Sequence, residues 1–151
     1  MAETDHAFAT LCTDLLRGFG LSRPAGQCFA AIWRAALAPS ADDLVARCAL
    51  SRSGVSVALK ELRDWGLVEE AQAVGERRAL FLAPPDAGEV LRRLTLERER
   101  RLSAPLLDRL ARLEDGRAQD LASALEVVST GLSELLDAAG DAKKKKKKKK
   151  G

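Results

Sequence analysis

The chain has 151 residues, of which 46% are hydrophobic and only 4% aromatic, with no Tyr. That length suits one domain, or one domain with an appendage, and a core of Leu, Ala and Val suits packed helices better than a sandwich or barrel. No run approaches the roughly 18 apolar residues of a membrane span, and the opening MAETDHAFAT is no signal peptide, so a soluble cytoplasmic protein with no membrane partner is expected.

The net charge of +3 is misleading, because the chain closes on GDAKKKKKKKKG. Setting aside the eight lysines reduces the 25 basic residues to 17, against 22 acidic ones, a balance of −5. Sixteen of those 17 are Arg and only Lys60 is Lys, so the tail at 143–151 reads as non-native. Its functional alternative is a polybasic arm for nucleic acid or anionic lipid. Cys12, Cys28 and Cys48 are widely spaced and form no CxxC pair and no zinc pattern. They are expected to be small buried hydrophobes in a reducing compartment, with redox or thiophilic-metal sensing as the alternative.

In chain order, Phe8, Leu11, Cys12, Leu15, Leu16 and Phe19 recur at spacings of three and four and predict a helix over 5–19. GFGLSRP breaks it, and Pro24 opens a second helix whose apolar face carries Cys28, Phe29, Ile32, Trp33 and Ala36, closed by Ala38–Pro39. Ser40 is an N-cap, with Asp42 and Asp43 in the first turn of a short helix. The turn ALS leads to a second N-cap at Ser51, and Val55, Leu59 and Leu62 then form the inward stripe of the next helix, with Gly66 as its left-handed cap. LVEEAQAV and RALFLA, separated by GERR, predict a two-stranded hairpin ended by Pro84–Pro85.

Everything after Asp86 reads as helix, kinked or split at Pro105, with a turn at EDGRAQ. The last helix places Leu121, Leu125, Val128, Leu132, Leu135 and Ala139 at alternating steps of four and three, a heptad-type seam. A leucine-rich region with no globular partner of its own argues for self-association. The organisation expected is therefore a helix-and-hairpin domain at 1–83, a helical dimerisation region at 84–142 and the tail at 143–151.

Helix, tight turn, capped helix and hairpin follow the order of a winged helix-turn-helix, mainly α with a small β-hairpin wing. Leu44, Val45, Cys48, Leu50, Val55, Leu59 and Leu62 would lock the two helices together. The outer face of the second then carries Arg52, Ser53, Ser56, Val57 and Lys60 towards a DNA major groove. Gly54 costs this helix roughly 1 kcal/mol relative to Ala, and is read as clearance for a neighbouring helix or the sugar-phosphate backbone. Arg77 and Arg78 at the hairpin tip sit where a wing would reach a minor groove or phosphates.

The lead-in Gly20, Arg23 and Gly26, the stretch LSRSGVSVALKELRDWGLV at 50–68 and VGERRALF at 74–81 closely resemble the GbsR/MarR-type bacterial transcriptional regulators. The resemblance covers residues 18–83. It implies a homodimer, held by the terminal helices, that binds a near-palindromic operator in double-stranded DNA. The recognition-helix roles would fall on Arg52, Ser53, Ser56, Val57 and Lys60, and the wing roles on Arg77 and Arg78. It also implies response to a small-molecule effector, for which Phe8, Cys12, Phe29 and Trp33 are candidate lining residues or, alternatively, plain core. An aromatic cage for betaine or choline is hard to build from Trp33 and Trp65 with no Tyr.

No cofactor, metal site or enzyme chemistry is expected: the one histidine, His6, has no triad or ligand set around it in the sequence. One feature opposes strong DNA binding. Residues 40–83 hold six basic groups and seven acidic ones, a poor balance for phosphates, unless Asp42, Asp43, Glu61 and Asp64 face away. The rival function is a winged-helix module that contacts protein and does not read DNA.

Overall fold

The computed structural model describes residues 2–150; Met1 and Gly151, at the outer ends of the expected segments 1–83 and 143–151, lie outside them. The described elements are α1 (Ala2–Phe19), α2 (Arg23–Arg34), α3 (Ala41–Cys48), α4 (Arg52–Asp64), β1 (Glu69–Ala71), β2 (Leu80–Leu82), α5 (Ala87–Ala111) and α6 (Gly116–Lys150). This is a winged helix-turn-helix with helices before and after it. Packing divides the chain inside α5, into units of residues 1–94 and 95–151. The wing ends near residue 83, but Val90 and Leu94 are buried in the first unit's core and carry its boundary further.

In the first unit α2 is central and packs against α1, α3, α4 and β2. Leu16, Phe29, Leu44, Val55, Leu62, Leu67 and Leu94 are wholly buried at the centre. Local chemistry sets the helix starts. The Ser22 hydroxyl accepts from the Ala25 amide at 3.3 Å, and Pro24 occupies the first turn of α2. Ser40 and Asp43 form a reciprocal capping box at α3, and the two hydrogen bonds from Ser40 hold the Asp43 carboxyl below the usual carboxylate range. Ser51 caps α4.

Two expectations change. The second helix ends at Arg34 rather than at Ala38–Pro39, because Ala35 is already extended. The residues beyond it are drawn to the hairpin: Phe81 N–H donates to the Pro39 carbonyl at 2.9 Å, and Ser40 bridges Leu80. Of the kink or split expected at Pro105, the split does not occur, and α5 runs through it. Pro105 is exposed, so the carbonyl opposite its ring can turn towards water and the helix survives the lost donor.

The apolar stripe of α1 is wider than its own core. Cys12 and Leu16 are buried, whereas Leu11 and Leu15 are 68% and 44% exposed. In the second unit the mismatch is larger. Asp115 caps α6 by accepting from the Ala118 amide at 2.9 Å, yet only Ser103 and Ala118 are buried among the described residues of 95–151. Leu102, Leu106, Leu113, Leu121, Val127, Val128 and Leu135 are exposed. No described helix is long and apolar enough to cross a membrane.

At Gly26, α2 comes close to the backbone of α1. A Cβ added at Gly26 would stand 2.8 Å from Thr13 Cα, a backbone atom that cannot swing aside. Gly26→Ala is therefore expected to destabilise the domain by about 1–3 kcal/mol, read as a lower denaturant midpoint. Gly18→Ala, where the space is open, should not lower it.

Candidate nucleic-acid interface

The short connection between α3 and α4 carries one backbone outlier. Ala49 lies at φ +53°, the left-handed region, a conformation that costs an L-residue roughly 1–2 kcal/mol. It turns the chain sharply enough for Ser51 to start α4 three residues after α3 ends. Val55, Ala58, Leu59 and Leu62 then bury one side of α4. At the other end, Gly66 at φ +72° lets the Leu67 amide return to the Leu62 carbonyl at 2.9 Å.

With that side fixed, Arg52, Ser53, Ser56, Val57 and Lys60 all stand exposed on the opposite side, Val57 by 68%. The structure therefore brings all five candidate residues to one face. A shallow groove of about 730 Å³ runs beside them, bordered by Arg52, Ser56, Lys60, Arg63, Asp64, Glu70 and Phe81.

The clearance expected at Gly54 has a local cause. Its amide donates to the Ser51 hydroxyl at 3.0 Å, and an added Cβ would meet that same oxygen at 3.0 Å. The glycine protects the cap that starts the helix.

The acidic residues divide by position. Glu61 turns inward along the chain, accepting from the Ser22 amide at 2.8 Å and the Ser22 hydroxyl at 2.5 Å; it caps α2 and leaves the outer face. Asp43 is occupied at α3. Asp42 does not face away, contrary to expectation: it lies 3.7 Å from the Arg52 guanidinium, with both side chains largely exposed. Asp64 also borders the groove beside Lys60, and Arg63 is paired with Glu70 at 3.0 Å. Such exposed pairs contribute little to stability, but they lower the positive potential of the face.

β1 and β2 pair antiparallel, with Glu70 opposite Phe81, and Gly75 at φ +81° makes the turn. Arg77 and Arg78 are both exposed, as the sequence predicts. They are not equivalent. Arg78 folds back, its Nε 3.1 Å from Glu76 and its Nη1 3.5 Å from the Ser40 hydroxyl. Glu76 raises the Arg78 pKa and is itself held below the usual carboxylate range by that guanidinium. Glu76 is the participant that sequence reasoning missed, and Asp42 the one it placed facing away. Their signal was an acid beside each candidate cation in space, and only for Glu76 was it also close in sequence.

The effector candidates separate. Phe8, Phe29 and Trp33 form a stacked series, with ring centroids 5.9 and 6.0 Å apart, and Trp33 Nε1 donates to the Pro84 carbonyl at 2.9 Å. Cys12 and Phe29 are buried. A groove of about 970 Å³ opens nearby between α1 and α2, but of the four candidates only Phe8 borders it. Among the described residues no group of three or more His, Cys, Asp or Glu could hold a metal ion.

Comparison with known proteins agrees with this geometry. Residues 19–79 match the MarR family model. The matched stretch spans the helix-turn-helix and most of the hairpin. No curated protein matches the chain in sequence. A solved structure described as the crystal structure of a transcriptional regulator superposes with a TM-score of 0.75, over 91% of this chain and 99% of that chain, at 21% identity. At that identity the likeness establishes the fold. It extends beyond the stretch that matches the family model to the flanking helices.

The Gly54 contact is open to a double-mutant cycle. Gly54→Ala should gain about 1 kcal/mol of helix propensity and lose about as much from the disturbed cap, leaving stability nearly unchanged. In a Ser51→Ala background the clash is gone, and the same substitution should raise the midpoint by the full propensity gain. Equal effects in both backgrounds would show that the hydroxyl is not what the glycine serves.

Proposed function

We propose that the chain is a dimeric, sequence-specific DNA-binding regulator of transcription and not an enzyme. The observation that carries this reading is the division of α4 into a buried side and an exposed side bearing Arg52, Ser53, Ser56, Val57 and Lys60. A helix held this way can lie in a major groove, where hydroxyls and cations meet base edges or phosphates and an apolar tip meets a thymine methyl. The MarR family match over 19–79 supports it. The wing would lie on the minor groove or flanking phosphates, with Arg77 as the contact and Arg78 reinforcing the loop through Glu76.

Homodimerisation through the terminal helices is part of this proposal. It is supported by the leucines and valines left exposed along 95–151 and by Leu11 and Leu15 of α1. A near-palindromic operator would follow from two-fold symmetry. Repression, a cytoplasmic bacterial setting, an effector response and kinship with the GbsR branch, supported by Gly20, Arg23 and Gly26, are finer parts of the same reading. The rival, a winged-helix module for protein contacts, draws on the acids at the interface, above all Asp42 beside Arg52.

DNA selected from a random pool by protein ending at Ala142 separates the two, because the lysines of 143–150 would bind any duplex. The expected outcome is a palindromic consensus. Arg77→Ala should then weaken binding across sequences and lower the salt slope by about one, while Ser56→Ala should relax one position at a cost of about 1–3 kcal/mol. No enrichment, or indifference to Arg52, Lys60 and Arg77, favours the protein-contact module. In the heptad seam, Leu125→Glu with Leu132→Glu should reduce the mass measured by light scattering from dimer to monomer; a monomeric parent would overturn the dimer.

A further inference from the structure

The far end of α4 is held by a bond that spacing along the chain does not show. Arg93, on the second turn of α5, donates from Nη1 to the Gly66 carbonyl at 2.6 Å. Gly66 is the left-handed residue just past α4, and its own amide returns to the Arg63 carbonyl at 3.0 Å. The guanidinium is aimed from behind by Glu89, whose carboxylate accepts Arg93 Nε at 2.9 Å and both Nε and Nη2 of Arg92 at 2.9 Å. Glu89 is itself fixed in the first turn of α5, where its amide donates to the Asp86 carboxylate at 2.8 Å. Val90, three residues before Arg93, and Leu94, directly after it, are buried in the same core as Trp65, Leu67 and Val68.

We propose that Arg93 is a positioning residue for α4: by tying the Gly66 carbonyl to α5 it fixes the C-terminal end of that helix, and with it the tilt at which Arg52, Ser53, Ser56, Val57 and Lys60 are presented. The bearing of this tie on DNA rests on the DNA-binding reading; the tie itself does not.

Burial of Val55, Ala58, Leu59 and Leu62 decides which side of α4 turns inward. Apolar contact is non-directional, however, and leaves tilt less defined. A charge-assisted hydrogen bond is directional and roughly twice as strong as a neutral one. The cation also stands at the C-terminal, negative end of the α4 dipole. Arginine suits the place because its planar fork serves Glu89 and Gly66 together. The hydrogen bonds from Arg92, opposed by burial and aided by Arg93, hold the Glu89 carboxyl down to about 2, so the aim persists at neutral pH. In the same turn of α4, Glu61 binds Ser22 of α2. That turn is thus tied to α2 through an acid and, just beyond it, to α5 through a base.

Hydrogen exchange on the full-length protein measures the tie without DNA. Arg93→Met keeps an apolar stem and removes every donor. Exchange at the Gly66 and Leu67 amides, which close α4 onto the Arg63 and Leu62 carbonyls, is expected to quicken about tenfold, with circular dichroism unchanged. Arg93→Lys, which keeps a charge and a donor, should recover part of the protection. Unchanged exchange in Arg93→Met, or a lysine no better than methionine, overturns the tie. If Arg93→Met does not fold, Glu89→Gln, which leaves the guanidinium but weakens its aim, should quicken the same two amides by a smaller factor, and no change there overturns the tie equally.

On DNA, the probes are the consensus duplex from the random pool and a scrambled duplex of the same length. Arg93→Met should lose about tenfold in affinity for the consensus while its affinity for the scrambled duplex and its salt slope stay those of the parent. The lysines of 143–150 act on both duplexes and cancel in the ratio. A slope lower by about one would make Arg93 a phosphate contact, and an unchanged ratio would remove its effect on presentation; either result overturns the positioning role. If the parent selects no consensus, the DNA-binding reading fails while exchange still decides the tie.

Discussion

The first unit depends on the complete removal of one side of α4 from water. Val55, Ala58 and Leu62 have no exposure at all, and Leu59 has almost none. Each buried side chain of that size is worth on the order of 1.5–3 kcal/mol relative to exposure, so rotating the helix by even one position would forfeit several of them. That fixes the azimuth of α4, and with it the direction in which Arg52, Ser53, Ser56, Val57 and Lys60 point. The platform is α2, which α1 approaches so closely at Gly26 that no side chain fits. The outer face is precise because the inner face is expensive to disturb.

Charge is arranged around that constraint. Residues 40–83 carry seven acids against six bases, but several of the acids are used as structural partners. Asp43 closes the α3 cap and Glu61 closes the α2 start across 39 residues of chain. The latter bond also ties the last turn of α4 to the N-terminus of α2, beside Arg23 of the α1–α2 groove. Asp42, Asp64 and Glu76 remain near the exposed cations. A face so compensated has only a modest positive field.

The second unit poses the opposite situation. Two buried residues cannot offset the entropy of ordering such a stretch of helix, while a seam of leucines and valines lies in water. Helices with that surface are stabilised by association rather than by propensity. Thus the first unit is a self-sufficient core with a polar working face, and the second is an apolar face without a core.

Much of this was legible in the sequence, because it depends on local chemistry. The caps at Ser40 and Ser51, Pro24 at the start of α2, the glycine turns at Gly66 and Gly75, and the period of α4 each act within a few residues, so pattern alone determines them. The helix-turn-helix and the exposed set on α4 follow from that periodicity. What lies between elements was not legible. Pairing Asp42 with Arg52 or Glu61 with Ser22 requires separate segments to meet at a particular angle. The end of α2 was misplaced because the wing, far along the chain, draws Pro39 and Ser40 into its hairpin. Pro105 was read as a kink or a split, and the split does not occur, because sequence does not say that its ring would face water. The sequence by itself determined which residues α4 exposes; the tertiary structure decided which of their charges are already answered, because an ion pair depends on distance in space and not on spacing along the chain.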